Sequence, residues 1–191
     1  IDNRGSGNAQ KDAMLAGGRI HRKIQKRMGA GYRAEVPLKH EVQDEEQEIT
    51  LLVEGRADGI FAENGIPVID EIKGMYTDIS RLEEPIEVHL AQAMCYGYFY
   101  CCDKDLDGIR LQMTYCNLET EEIKRFQTDR SREELETWFS GVVHEYFKWA
   151  RYLYHHELIR DASIGHLEFP FPYRAGQRDL VVSVYRTVSR K

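Results

Sequence analysis

The stretch from Glu54 to Lys73 constrains the fold of this 191-residue chain more than any other. It reads E-G-R-A-D-G-I-F, a turn at Glu63-Asn64-Gly65, then I-P-V-I-D-E-I-K. An Asn-Gly pair between apolar runs signals a two-residue hairpin, which lays the strand carrying Asp58 against the strand carrying Glu71. Side chains alternate across a strand, so Glu71 and Lys73 share one face and Ile72 takes the other. By the same parity Asp70 faces away from Glu71 and Lys73. Two carboxylates and an ammonium then converge on a largely buried sheet. Burying charge is costly unless it is paired or bound to a metal, and folding alone would be served by valines there. The plain alternative, a surface hairpin with a Lys–Glu pair, sits poorly with apolar residues on both sides.

A chain of this length fits one domain with room for an appendage. Hydrophobic residues make up 42% and charged residues 30%, the balance of a soluble domain with a core of its own. No apolar run is long enough to span a membrane and no signal peptide is visible. The expectation is a cytoplasmic protein with no membrane partner. The sequence opens on Ile1 rather than methionine and reads as a fragment. Cys95, Cys101, Cys102 and Cys116 lack C-x-x-C spacing, so buried reduced thiols fit better than a disulfide or metal set. A net charge of −6 offers nothing to a nucleic acid by itself; local basic patches and metal ions would have to offset the average.

Residues 1–10 read as a flexible lead-in. Residues 11–28 carry a helical period, with Leu15, Ile20, Ile24 and Met28 on one stripe and Arg22, Lys23, Lys26 and Arg27 mostly off it. Gly29-Ala30-Gly31 ends that helix. Residues 32–42 alternate as a strand, 43–48 form an acidic turn, and 49–61 and 66–73 are the central strands. Residues 74–85 connect to a helix over 86–102 that is apolar on more than one face and therefore buried. Residues 109–117 alternate as a strand. A charged segment follows, then an amphipathic helix over 132–160, rich in Trp138, Phe139, Tyr146, Phe147, Trp149 and Tyr152. Phe169-Pro170-Phe171-Pro172 breaks the chain before a last helix over 174–190. The order α-β-β-β-α-β with extra C-terminal helices predicts an α/β (α+β) domain, a mixed sheet flanked by helices.

Three constellations carry chemistry. Asp58, Glu71 and Lys73 suit divalent-metal hydrolysis of a phosphodiester. Hard Mg²⁺ or Mn²⁺ takes carboxylate oxygens and keeps waters and phosphate oxygens in its shell. It also acidifies a bound water, while a lysine can hold that water or the developing charge. His89, Gln92 and Tyr96 form the second, at helical offsets of three and four on one face. A polar stripe on a buried helix needs partners; the alternative is a stripe that faces solvent. His21, in G-G-R-I-H-R-K-I, is the third. It lies beside the apolar stripe, with Gly17 and Gly18 one turn earlier clearing space for a close approach. An imidazole there can ligate a metal or contact phosphate, although a lone His is more often structural.

Residues 17–96 resemble the RecB-like branch of the PD-(D/E)XK nuclease superfamily. That branch carries a His on the first helix, G-x-x-D on a strand, (D/E)-x-K on the next strand and Q-x-x-x-Y on the following helix. Here the ordered elements are His21, Gly55-Arg56-Ala57-Asp58, Glu71-Ile72-Lys73 and Gln92 with Tyr96. The resemblance implies a restriction-endonuclease-like core. It implies Mg²⁺ or Mn²⁺ ligands at Asp58, Glu71, the Ile72 carbonyl and His21, with Lys73 as the catalytic lysine. Gln92 and Tyr96 would position that lysine or the DNA, and Glu35 on the first strand is a further candidate. Some relatives carry a four-cysteine iron–sulfur staple. With no cysteine before Cys95 or after Cys116, no iron–sulfur cluster is expected.

Residues 169–180, F-P-F-P-Y-R-A-G-Q-R-D-L, resemble the segment that opens the helicase core of DinG/XPD-like superfamily 2 DNA helicases. There an aromatic residue and a Gln contact adenine; Tyr173 and Gln177 stand in those places. No G-x-x-x-x-G-K-[ST] occurs, so ATP is expected only in a full-length protein. An ordinary Pro-punctuated helix is the alternative. The implied division is a nuclease domain over 1–165, then a linker and the start of a helicase domain over 166–191. The expectation is a deoxyribonuclease acting on single-stranded DNA or strand ends in DNA repair or recombination, nucleoid-associated, with a helicase core in cis. Its rival is a catalytically inactive DNA-binding or scaffold domain, against which the intact Asp58, Glu71 and Lys73 set argues.

Overall fold

Asn64 and Gly65 both sit in the left-handed region, with φ of 54° and 82°, as the tightest hairpin turn requires. They join β2 (Thr50–Glu63) to β3 (Ile66–Met75) in antiparallel register from Glu63↔Ile66 to Gly59↔Asp70. In this computed structural model, which describes residues 6–44, 49–167 and 171–189, that hairpin is the middle of a five-stranded sheet. The expected lead-in at 1–5, the acidic turn at 45–48 and the first Phe-Pro pair at 169–170 lie outside the described residues.

β1 (Arg33–Gln43) pairs antiparallel with β2, β3 pairs parallel with β4 (Gly108–Asn117), and β4 pairs antiparallel with β5 (Ile123–Ser131). The parallel β3–β4 step needs a crossover. It is supplied by a 3-10 turn at Ile79–Arg81 and helix α2 (Glu87–Lys104). Parity along β3 then separates two cores. Ile72 packs with Cys116 beneath Ile20 and Ile24 of helix α1 (Ser6–Arg27). On the other face Met113 and Tyr115 pack with Ile79 and with Ala93 of α2. The domain is therefore a mixed α/β sheet covered on both faces, as the element pattern predicts.

Three expectations need correction. Residues 6–10 belong to α1 rather than to a lead-in. The expected apolar stripe is narrower than four residues, because Leu15 is exposed while Ile20 and Ile24 are buried. The charged segment after β4 is a strand. β5 is an edge strand whose polar side chains alternate outward, so it needs few apolar residues, and Ile123 and Phe126 are too sparse to signal it.

Helix α3 (Arg132–Gly165) runs past the expected end at 160. Leu135, Phe139, Val143 and Phe147 recur every four residues and are buried, in a cluster where Phe139 meets His40, Tyr98 and Phe99. Tyr146, Trp149 and Tyr152 are exposed, so most of the aromatic richness is not core. Two compact units divide between Lys148 and Trp149, inside α3, whereas the sequence places its boundary at 165. The second unit holds the rest of α3 and helix α4 (Gln177–Val188), which buries none of its residues. No described helix is long and apolar enough to cross a membrane.

Candidate active site at a fork between two strands

The β2–β3 ladder stops at Gly59↔Asp70, while β2 continues pairing with β1 and β3 with β4. A fork opens at Asp58 and Glu71. The Ile72 N–H lies at this fork, and Asp58 Oδ2 accepts it at 2.7 Å. The other oxygen, Oδ1, meets His21 Nδ1 at 3.1 Å. Asp58 thus closes the fork from β2 and ties it to α1. The bond to Asp58 raises the His21 pKa against the opposing effect of burial.

On β3, Glu71 and Lys73 point together, as the two-residue period requires. Lys73 Nζ donates to Glu71 Oε1 at 2.8 Å and to Gln92 Oε1 at 2.8 Å. Gln92 Nε2 in turn donates to the Tyr96 hydroxyl at 3.2 Å, and that hydroxyl also accepts the Arg56 N–H at 3.2 Å. The polar stripe on α2 is therefore satisfied by the sheet rather than by solvent. Its third member, His89, is turned toward the Tyr115 hydroxyl, 3.4 Å away, and burial lowers its pKa. A glycine explains how Tyr96 reaches β2: a Cβ at Gly55 would come within 2.5 Å of the Tyr96 hydroxyl oxygen. That is the physical reason for a glycine three residues before Asp58.

Glu71 is the least settled group in the domain. Its side chain is only 2% exposed. Burial, reinforced by the Asp58 charge and opposed by Lys73, pushes its pKa up to about 7. Oε2 is buried and has no hydrogen-bond partner among the described residues. A buried carboxylate oxygen left bare costs about 1–3 kcal/mol or more, so the position suits a cation that would share it with Asp58.

A closed ligand set is not preformed. Among the described residues no three His, Cys, Asp or Glu side chains converge as a metal centre. The expected ligands were His21, Asp58, Glu71 and the Ile72 carbonyl, and His21 and Asp58 are here bonded to each other. The cause is local: Asp58 is committed to His21 and to the Ile72 N–H, and Glu71 Oε1 to Lys73. Mg²⁺ needs only one or two carboxylates and completes its shell with waters and phosphate oxygens, so Asp58, Glu71 and the Ile72 carbonyl remain a chemically sufficient set.

Two site residues, Gln25 and Tyr32, escape the sequence reading, while Glu35 is a candidate there whose surroundings the fold supplies. Gln25 on α1 donates to the Asp58 carbonyl at 3.0 Å and to Glu35 Oε1 at 3.1 Å; its spacing of four from His21 was the available signal. Glu35 lies opposite Asp58 in a break of the β1–β2 ladder, with φ of 56°, and its carboxylate also approaches Arg56 at 3.8 Å. Tyr32 crosses over Gly59, which has no side chain to obstruct it, and donates to Asp70 at 2.9 Å. Among the described residues, no atom beyond Gly17's immediate neighbours and local helix backbone comes within 4 Å of a Cβ built there, and at Gly18 only Arg22 of the same helix does. The space expected at those glycines is open among the described residues.

At the C-terminus, Gln177 opens α4, and its Oε1 accepts the Arg174 N–H at 3.1 Å. It lines a depression of about 620 Å³ with Phe171, Pro172 and Leu180; Tyr173 does not. All four cysteines are free thiols.

No protein-family model matches the chain, and no curated protein does. Among solved structures it is similar to one described as the crystal structure of SSO0001, at 20% identity and a TM-score of 0.47, covering 60% of this chain and 50% of that one. This chain therefore spans about half the length of that relative.

Proposed function

We propose that this chain is a divalent-metal-dependent deoxyribonuclease domain that hydrolyses phosphodiesters of single-stranded DNA or strand ends, serving a DNA helicase in repair or recombination. The observation that carries it is Glu71: a buried carboxylate with a raised pKa and one bare oxygen, beside a lysine, at a fork where Asp58 closes the other side. Folding gains nothing from that arrangement. Phosphodiester hydrolysis needs a cation on carboxylate oxygens, a held water and a positive charge for the developing oxyanion.

Asp58, Glu71 and the Ile72 carbonyl would hold Mg²⁺ or Mn²⁺, which when bound supplies charge neutralisation and a more acidic water. The protein residues do the rest. Lys73, kept off free rotation by Glu71 and Gln92, presents its ammonium to the attacked phosphate or to the water that attacks it. Gln92 fixes Lys73 and is itself fixed by Tyr96. His21 holds Asp58 Oδ1 and can pass to a phosphate oxygen when a cation takes Asp58.

The second reading is a nucleic-acid-binding domain without turnover, in which Asp58 stays committed to His21 and the Ile72 N–H. Incubating the purified chain with labelled single-stranded and duplex DNA in Mn²⁺, Mg²⁺ or EDTA separates the two. Cleavage in metal that disappears in EDTA and in Lys73→Ala supports the nuclease. Binding with no cleavage under any metal rejects it.

A further inference from the structure

The chain is acidic overall, yet the last three turns of α1 are not. From Leu15 to Met28 the sequence carries Arg19, Arg22, Lys23, Lys26 and Arg27 and no acid. Around the helix these positions separate by what the neighbouring residues touch. Ile20 and Ile24 face the sheet, and His21 and Gln25 face Asp58. Lys23 is engaged by Glu121 across the opposite flank. With 100° per residue, Arg19, Arg22 and Lys26 are left on the outward face, between the Lys23 flank and the His21 and Gln25 side, with Arg22 nearest Gln25. All three are exposed, and no ion pair engages any of them among the described residues. Arg22 folds back toward Gly18, its guanidinium lying 3.7 Å from where a Cβ would stand there.

We propose that Arg19, Arg22 and Lys26 form a track for the phosphate backbone of the strand presented to the fork. It rests on the nuclease reading above and specifies how the substrate is held. Cations left unpaired on an acidic protein attract a polyanion, and the gain comes from counterions released from phosphates. Arg22, about 60° round the helix from Gln25, joins the track to the side of α1 that reaches Asp58, so a strand crossing the helix there has its next phosphates at the fork. A bilayer surface fits poorly. A helix that lies in a membrane needs a free apolar face, and Ile20 and Ile24 are buried against the sheet.

The test is equilibrium binding of a fluorescent single strand to the whole chain in EDTA, across a salt series. The variants are the triple Arg19→Ala/Arg22→Ala/Lys26→Ala, the double Arg19→Lys/Arg22→Lys, and Lys104→Ala as a control on another helix. Each phosphate contact contributes about 0.7 to the log–log salt slope of a single strand. The alanine triple should therefore lower the slope by about 2 and weaken low-salt binding at least tenfold, while the lysine replacements and the control keep the wild-type slope. All three positions are exposed, so unfolding midpoints should match. A wild-type slope in the alanine triple overturns the track. So does loss of binding to phosphatidylserine vesicles with DNA binding intact. Wild-type cleavage in Mn²⁺ is measured alongside: an unchanged slope with cleavage present removes only the track, whereas a lowered slope with no cleavage keeps the track and removes the nuclease.

Discussion

Asp70 and Glu71 are neighbours in sequence, both almost fully buried, and both have raised pKa values because burial disfavours their charge. Their surroundings differ. Asp70 faces α1 and accepts from Tyr32 at 2.9 Å, Gln112 at 3.0 Å and Thr114 at 2.6 Å, so both its oxygens are satisfied by the fold. Glu71 faces α2 with one oxygen on Lys73 and the other bare. One residue of register separates an acid the structure has finished from an acid it has left open. Burial and a perturbed pKa do not tell them apart; the count of unsatisfied oxygens does.

The largest contrast should appear in turnover. Lys73→Ala or Asp58→Ala should lower Mn²⁺-dependent cleavage by about 10³-fold, the scale of removing a transition-state charge partner. Asp70→Asn should stay within about tenfold of wild type. Removing Asp58 also relieves its repulsion of Glu71, which offsets the lost bond to the Ile72 N–H, so its urea midpoint should change little. Equal loss of activity at Asp70 and Asp58 would erase the distinction between the two faces.

Stability should show the reverse order. Asp70→Ala leaves the Tyr32, Thr114 and Gln112 donors without their acceptor inside the core, and should cost about 3 kcal/mol in urea unfolding. Glu71→Gln should stabilise the metal-free domain at pH 8. The sign follows from the pKa values: Glu71 moves from an ordinary carboxylate value of 4.5 to about 7 on folding, so the folded state binds its proton more tightly. Its charged form therefore destabilises increasingly as pH rises from about 4.5 to 7, by roughly 3 kcal/mol at most. The gain from Glu71→Gln should be present at pH 8 and vanish toward pH 5. A pH-independent gain would mean that Glu71 is an ordinary ionised carboxylate. His21, also raised, contributes stability below its unfolded pKa that is lost as pH climbs through the folded one, so His21→Gln should flatten the same limb further.

The smallest effect is expected one residue back from the chemistry. Gln92→Ala removes one acceptor from Lys73 and should lower kcat roughly tenfold, the worth of one such hydrogen bond, with DNA affinity unchanged. Loss of affinity at constant kcat would place Gln92 on the DNA instead.

Much of this was legible beforehand because strand parity and an Asn-Gly turn fix which residues share a face. Glu71 with Lys73, Asp70 turned away, and Gln92 with Tyr96 on one helix face all follow from periods of 2 and 3.6. Gln25 and Tyr32 did not, because each acts through contacts between elements remote in sequence. β5 was missed because an edge strand buries too little to show an apolar pattern. The exposure of α3 beyond Phe147 was missed because aromatic content alone does not say whether a helix is covered.

Metal binding tests the contrast between the two acids most directly. Isothermal titration of Mn²⁺ into the wild-type chain, Glu71→Gln and Asp70→Asn should show binding to wild type that strengthens from pH 6 to pH 8 as Glu71 gives up its proton. Asp70→Asn should bind alike, and Glu71→Gln should lose most of the affinity. Equal Mn²⁺ affinity in wild type and Glu71→Gln, or loss in Asp70→Asn alone, would contradict the assignment of the open oxygen to a cation.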